Sequence, residues 1–262
     1  MATLLVALAH PDDETFGVGG VMARAAGEGH SVVIVCATRG EAGEIADPAM
    51  ATAETLGAVR EAELRAAAAA LGVRDVRFLE YRDSGMAGTP ENGHPQALVN
   101  ADAATLVGQL VDAIRDVRPD VVVTFEPGGL YGHPDHMTIS QRVTSAVEAA
   151  AKPEGKGGRH EVRRLYFIAL PKSTIVEMKA AAEAAGAGWG VGLDLESAPD
   201  DADCIAVDVT GSIAQKLAAI DAHATQRGTI DKMPAEFRDR MFATEWFMLA
   251  RGAADGEIVA GL

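Results

Sequence analysis

Thr3-Leu4-Leu5-Val6-Ala7-Leu8-Ala9-His10-Pro11-Asp12-Asp13-Glu14 decides the fold of this chain. Small and branched apolar residues run for one strand length and stop at a histidine followed by three carboxylates. A continuous apolar run of this length reads as a strand buried on both faces, as in a parallel sheet covered by helices. Further runs of the same kind stand at 31–38, 76–79, 120–125, 165–169 and 205–209. Between them, 20–27, 56–71, 98–117, 135–151 and 173–185 carry Ala, Leu and Val at helical spacing with charges on the opposite side. The remainder reads as a helix over 212–223 and a helix followed by a strand over 234–251. Strands alternating with helices predict an α/β fold, a Rossmann-like, mostly parallel sheet flanked by helices, in a single domain over 1–262. No repeat of solenoid length is visible.

In such a sheet, ligands bind beyond the carboxyl ends of the strands. Two of the three long loops, 39–55 and 82–97, follow strands and should border a pocket; the third is 186–203. Two polar clusters also stand just past strand ends, His10-Pro11-Asp12-Asp13-Glu14 and Gly132-His133-Pro134-Asp135-His136. Adjacent carboxylates are costly in a closed loop unless a cation neutralises them. Either cluster alone reads equally well as a turn with an Asx-type hydrogen bond. Together, on matching strand ends, they predict a metal site. Two His and one Asp with an open position is the pattern of catalytic zinc, and iron(II) uses the same ligand types.

With 48% hydrophobic residues the chain can bury a sizeable core, so global disorder is excluded. The formal net charge of -15 argues against nucleic acid and against an anionic membrane surface as partners. A small molecule fits better, and a homo-oligomer is compatible with the sequence. The two cysteines, Cys36 and Cys204, read as reduced core thiols in strands. The first residues lack the basic segment of a secretory signal, and no apolar stretch has the length of a membrane span, so a cytoplasmic location is expected.

The two clusters, with Gly17, Gly19-Gly20, Thr38-Arg39-Gly40-Glu41, the helix from Arg60-Glu61 to Leu71-Gly72-Val73, and His223-Ala224-Thr225-Gln226, resemble the PIG-L/LmbE family of zinc-dependent N-deacetylases. Segment 81–89 resembles the actinobacterial branch that includes the mycothiol-pathway deacetylase. The resemblance implies one Zn2+ per chain held by His10, Asp13 and His136. It implies Asp12 as general base and His133 as the residue that stabilises the oxyanion. Asp135 would orient and charge a neighbouring imidazole, and Tyr131 would lie near the oxyanion. Arg60 and Asp83 match sugar-contacting positions. The chain departs from that branch at 40–43, at Leu130 and throughout 186–203, so the exact substrate does not carry over. The expected activity is removal of an N-acetyl group from an N-acetylglucosamine-containing small molecule. The rivals are a metal-dependent amidase acting on a mycothiol-type thiol conjugate, and a non-catalytic metal or sugar binder, which would not need Asp12 as a base.

Other signals are weaker. Gly17-Val18-Gly19-Gly20 lacks the third glycine of a dinucleotide fingerprint, Met22 standing there, and helix packing explains it better. Gly93-His94-Pro95-Gln96 reads as loop, His30 as a surface turn and His160 as a solvated side chain. His223, on the last turn of a helix, stays outside the catalytic set. Arg39 and Glu41 read equally as loop brace or substrate contact, Trp246 reads as core, and Trp189 is open.

Overall fold

The computed structural model describes residues 1–153, 157–184, 193–228 and 230–253. The opening stretch forms β1 (Thr3–Leu8), whose residues from Leu4 onward are buried. It pairs in parallel with β2 (Ser31–Cys36) on one side and β4 (Val121–Phe125) on the other. β3 (Asp75–Phe78) adds in parallel beyond β2, and β5 (Arg164–Ile168) beyond β4. Two antiparallel strands extend that side, β7 (Thr244–Arg251) against β5 and β6 (Ile205–Asp208) against β7. The order is β3-β2-β1-β4-β5-β7-β6. The chain leaves β1 toward β2 and later returns to the other side of β1 with β4, so the strand order reverses between them. A crevice opens at such a switch point, beyond the strand ends.

The helices are α1 (Asp13–Gly27), α2 (Leu56–Ala70), α3 (Ala103–Val117), one irregular turn α4 (Gly129–Gly132), α5 (Pro134–Ala150), α6 (Lys172–Ala184), α7 (Ile213–Ala222) and α8 (Ala235–Phe242). α1 and α2 both pack on α7, α3 packs on α5, and α1, α3 and α5 all reach β1. The central strand is thereby covered on both faces, as its sequence requires.

Local chemistry moves some boundaries. The helix expected from residue 98 begins at Ala103, because Asp102 accepts from Thr105 N–H at 2.9 Å as an N-cap. Before it, Leu98–Asn100 make a separate 3-10 turn. α1 begins earlier than expected, at Asp13, with two carboxylates in its first turn, where the helix dipole favours them. Gly20 lies so close to Val209 that a Cβ would collide with its side chain. The glycines of α1 therefore serve close packing.

Beside Gly20 lies a buried ion pair that the hydrophobic pattern does not announce. Lys216 Nζ meets Glu245 Oε1 at 2.7 Å, and the Glu245 carboxylate also accepts from Gly20 N–H and Val21 N–H at 2.7 and 2.9 Å. Both side chains are almost fully buried. Removing one partner of such a pair strands a charge in the interior. Lys216→Met is expected to cost about 3–5 kcal/mol of stability. Urea unfolding checks this, and an unchanged midpoint would show that the pair adds nothing to α1 docking.

Some minor expectations change. Cys204 follows the 3-10 turn Asp201–Asp203 and is half-buried, outside the core, because β6 starts one residue later. Trp246 is half-buried on β7, and its neighbour Phe247 fills the core. His160 is not freely solvated: its Nε2 lies 2.7 Å from the Pro119 carbonyl oxygen. Trp189, with 186–192 of the third loop, lies outside the described residues. No helix among those described is long and apolar enough to cross a membrane.

Candidate metal centre and catalytic site

His10 follows β1 directly, and Asp13 opens α1 three residues later. The His10 N–H donates to Asp13 Oδ2 at 2.7 Å, which folds the turn so that carboxylate and imidazole face one another. His133 precedes α5 after the turn beyond β4, and His136 stands in the first turn of that helix. The switch point brings the two strand ends together. His136 Nε2 lies 3.3 Å from His10 Nδ1 and 3.3 Å from Asp13 Oδ1, and His10 Nδ1 lies 3.5 Å from Asp13 Oδ2.

These separations fit a metal ion. Zinc–nitrogen bonds of about 2.0–2.1 Å in a tetrahedron place neighbouring donors about 3.3–3.4 Å apart. The far side of His10 supports the same reading. Its Nε2 faces Asp135 Oδ2 at 3.2 Å and Asp83 Oδ1 at 3.4 Å. With a metal bound, carboxylates there would favour the ring proton on Nε2 and leave the Nδ1 lone pair for the centre, the usual arrangement behind a metal-bound histidine.

Two other donor sets surround His10, one with His133 and His136 and one with Asp83 and Asp135. Asp83 and Asp135 are already anchored by backbone donors. Asp83 accepts from Gly85 N–H at 2.8 Å and Ala42 N–H at 3.2 Å, and Asp135 accepts from Ser84 N–H at 2.9 Å. His133 Nδ1 accepts from the Asp135 N–H at 3.1 Å. The set of His10, Asp13 and His136 offers two ring nitrogens and a carboxylate, Oδ1 toward His136 and Oδ2 toward His10, at mutual distances of 3.3–3.5 Å.

Electrostatics separate the roles. Burial alone would favour the acid form of Asp13, but His136 and His10 outweigh it and hold Asp13 well below the usual carboxylate range. His10 is desolvated, yet Asp83, Asp13 and Asp135 raise it well above its ordinary value. Asp12 is pushed up to about 6, chiefly by burial, with Arg60 opposing. A carboxylate in that range can exchange a proton near neutral pH.

The remaining sequence candidates take definite places. Arg60 is buried and turned inward. Its guanidinium donates to the Pro11 and Gly40 carbonyls at 2.5 and 2.8 Å and pairs with Asp12 Oδ2 at 3.2 Å. Asp83 is buried behind His10. Asp135 turns its carboxylate to His10 and Ser84, and only its backbone N–H meets His133. Burial, with His10 and His136 nearby, lowers His133 to about 4, and Asp135 raises it only weakly. The imidazole that the Asp135 carboxylate faces is that of His10, which it raises, and it pulls His133 the same way against burial. With Nδ1 accepting a hydrogen bond, the neutral ring of His133 carries its proton on Nε2 and is a donor there. Tyr131 sits half-exposed on α4, its ring edge-on to His136 at 5.1 Å between centroids. The turn is tight: Gly129, Leu130 and Gly132 all have positive φ, and Glu126 accepts from the N–H of Gly128 and of Leu130. A cavity of about 200 Å³ opens next to it, walled by Glu126, Tyr131, Asp194 and Ser197 among others.

Two residues left out of the candidate set in the sequence reading lie in this region. Glu14 and His223 are both buried, and His223 Nε2 lies 2.7 Å from Glu14 Oε1. The only signal for them was their membership of polar motifs. Arg39 and Glu41 are braces. Arg39 pairs with Glu61 and Glu80 at 2.6 and 2.7 Å, and Glu41 Oε2 accepts from Asp83 N–H at 3.1 Å.

Comparison with known proteins places the chain in a family. Residues 5–147 match the PIG-L family, described as GlcNAc-PI de-N-acetylase. A 1D-myo-inositol 2-acetamido-2-deoxy-alpha-D-glucopyranoside deacetylase from Acidothermus cellulolyticus is 41% identical, covering 96% of this chain and 90% of the relative. A protein of the same name from Geodermatophilus obscurus is also 41% identical, covering 99% and 97%. Among solved structures, GalB, the 4-carboxy-2-hydroxymuconate hydratase from Pseudomonas putida, superposes with a TM-score of 0.70 at 21% identity, over 98% of this chain and all of that one. The N,N'-diacetylchitobiose deacetylase from Pyrococcus horikoshii gives 0.64 at 20% identity, over 95% and 83%. A hydratase and a deacetylase share the fold, so the fold alone does not select the reaction. The family match and the relatives at about two-fifths identity over nearly the whole chain do place it: the chain belongs to the PIG-L family.

Proposed function

We propose that this protein is a zinc-dependent hydrolase that removes the N-acetyl group from an N-acetylglucosamine-containing small molecule. The compound named in its relatives, 1D-myo-inositol 2-acetamido-2-deoxy-alpha-D-glucopyranoside, is the first candidate. One observation carries the reading: a metal-fitting set of two His and one Asp has a buried, upshifted carboxylate, Asp12, directly beside it. A binding module has no use for that base. A divalent ion held by His10, Asp13 and His136 supplies Lewis acidity to the amide carbonyl and to the attacking water.

The protein's own groups do the rest. Asp12 takes a proton from the water and returns it to the leaving amine, so that the amide and water become acetate and the free amino sugar. Arg60 holds the Asp12 carboxylate in place. His133 donates a hydrogen bond from Nε2 to the carbonyl oxygen as negative charge grows there. Asp135 and Asp83 fix the tautomer of His10. Tyr131 closes the site on the side of the cavity lined by Asp194 and Ser197, where the rest of the substrate binds. Acetate release from a panel of N-acetylglucosaminides, with and without a chelator and with zinc or iron(II) restored, tests the reading. No release from any of them with metal present would overturn it.

His133→Ala is expected to lower kcat by about 10²–10³, the usual loss for one oxyanion donor. Metal content and KM should stay close to the parent values, because the bond forms mainly in the transition state. A variant that loses its metal would instead place His133 among the ligands.

A further inference from the structure

Asp12 adopts φ 111° and ψ −33°, a backbone conformation that residues with a side chain rarely occupy. Such a conformation persists only where its surroundings over-determine it. The position is also unusual for its place in the chain. Asp12 is the N-cap residue of α1, and an aspartate there normally turns its carboxylate onto the N–H groups of the first turn. Here the side chain makes no cap hydrogen bond. Its carboxylate goes to Arg60 instead.

Glu14 supplies the reason. Its Oε2 reaches back from the second helical position to accept the Asp12 N–H at 2.9 Å. Its Oε1 accepts from the Thr15 hydroxyl at 2.5 Å and meets His223 Nε2 at 2.7 Å. A buried carboxylate needs such partners. Glu14 and His223 are both fully enclosed, and His223 Nδ1 has no hydrogen-bond partner among the described residues. Among the described residues, Glu14 is thus the side chain that this ring meets by a hydrogen bond. The segment that follows α7 delivers it. Thr225 is pinned to Glu63 through its N–H and its hydroxyl, at 2.8 and 2.6 Å, and Gln226 Nε2 donates to the Glu44 carbonyl at 2.8 Å. The His223-Ala224-Thr225-Gln226 motif thus reaches Asp12 through Glu14 from the far end of the chain.

We infer that Glu14 and His223 are a positioning pair that holds Asp12 in its left-handed backbone conformation and keeps its carboxylate off the helix and free to act. The consequence for turnover rests on Asp12 being the base; the consequence for its backbone does not. Crystal structures and steady-state kinetics of zinc-loaded Glu14→Ala, Glu14→Gln and His223→Gln test the pair. In Glu14→Ala, Asp12 is expected to leave positive φ and its carboxylate to leave Arg60. Zinc should remain at one per chain and KM should not change. kcat should fall about 100-fold, the scale of a misplaced catalytic group. Glu14→Gln keeps an oxygen for the Asp12 N–H and should recover most of that loss. His223→Gln should fall between the two, and it carries the test if Glu14→Ala does not fold. Positive φ at Asp12 in a folded Glu14→Ala protein, or an unchanged kcat with only lower thermal stability, would overturn the inference. Normal turnover in Asp12→Asn overturns the base assignment alone, and the Asp12 conformation in the Glu14 variants still decides the pair.

Discussion

Asp12→Asn is expected to bind one metal ion per chain, to fold normally, and to lose turnover by about 10²–10⁴-fold, the contribution of a general base. The amide has the shape of the carboxylate and keeps an oxygen for Arg60, which lies 3.2 Å from Asp12 Oδ2. Its backbone hydrogen bond to Glu14 is untouched. What it lacks is a lone pair basic enough to take a proton from water. The native carboxyl is raised to about 6 by burial, with Arg60 limiting the rise. Turnover per bound metal is the measurement. A variant that keeps both metal and near-parental turnover would remove Asp12 from proton transfer and leave it a structural partner of Arg60.

His136→Ala should have the second large effect, on metal content first. Its Nε2 is 3.3 Å from both His10 Nδ1 and Asp13 Oδ1, so its removal takes away one of three donors. The ring also stacks on Phe125, with centroids 3.9 Å apart and planes within 5°, which fixes the direction of Nε2. Dialysed protein is expected to hold well under one ion per chain, with turnover at the level of chelated parent protein. The fold should persist, because the core packs on the sheet and not on the ion. Full occupancy in this variant would hand the third position to His133, whose ring centroid is 4.6 Å from that of His10.

The parallel strands were legible because burial on both faces writes them as continuous apolar runs. β1, β2 and β4 have almost no exposed residue. The antiparallel pair β6 and β7 was not legible as such, since periodicity carries no strand order or direction. The candidate metal set was visible because two His-Pro-Asp clusters stood at matching strand ends. The partners of Asp135 were not. Adjacency in sequence joined it to His133, whereas the first turn of α5 sends its carboxylate across to His10 and the backbone of Ser84. The inner partners of Arg60 were hidden for a related reason. An arginine on a helix near a pocket rim looks the same in sequence whether it points to a sugar or to a buried carboxylate. Lys216 and Glu245 lay hidden because each charge is solved by the other, 29 residues apart.

The register of the central strands also sets a timetable. Thr3 N–H bonds to Asp120 across 117 residues, and β4 settles beside β1 in that register. Closing a loop of that length is an entropic toll that local contacts do not share, and non-local pairing slows folding. His10 and Asp13 belong to the early part of the chain, while His136 arrives only with β4. For the proposed ligand set, tight ion capture during refolding or synthesis is therefore expected only once the middle of the sheet has zipped shut, so that metal uptake would serve as a clock for that event.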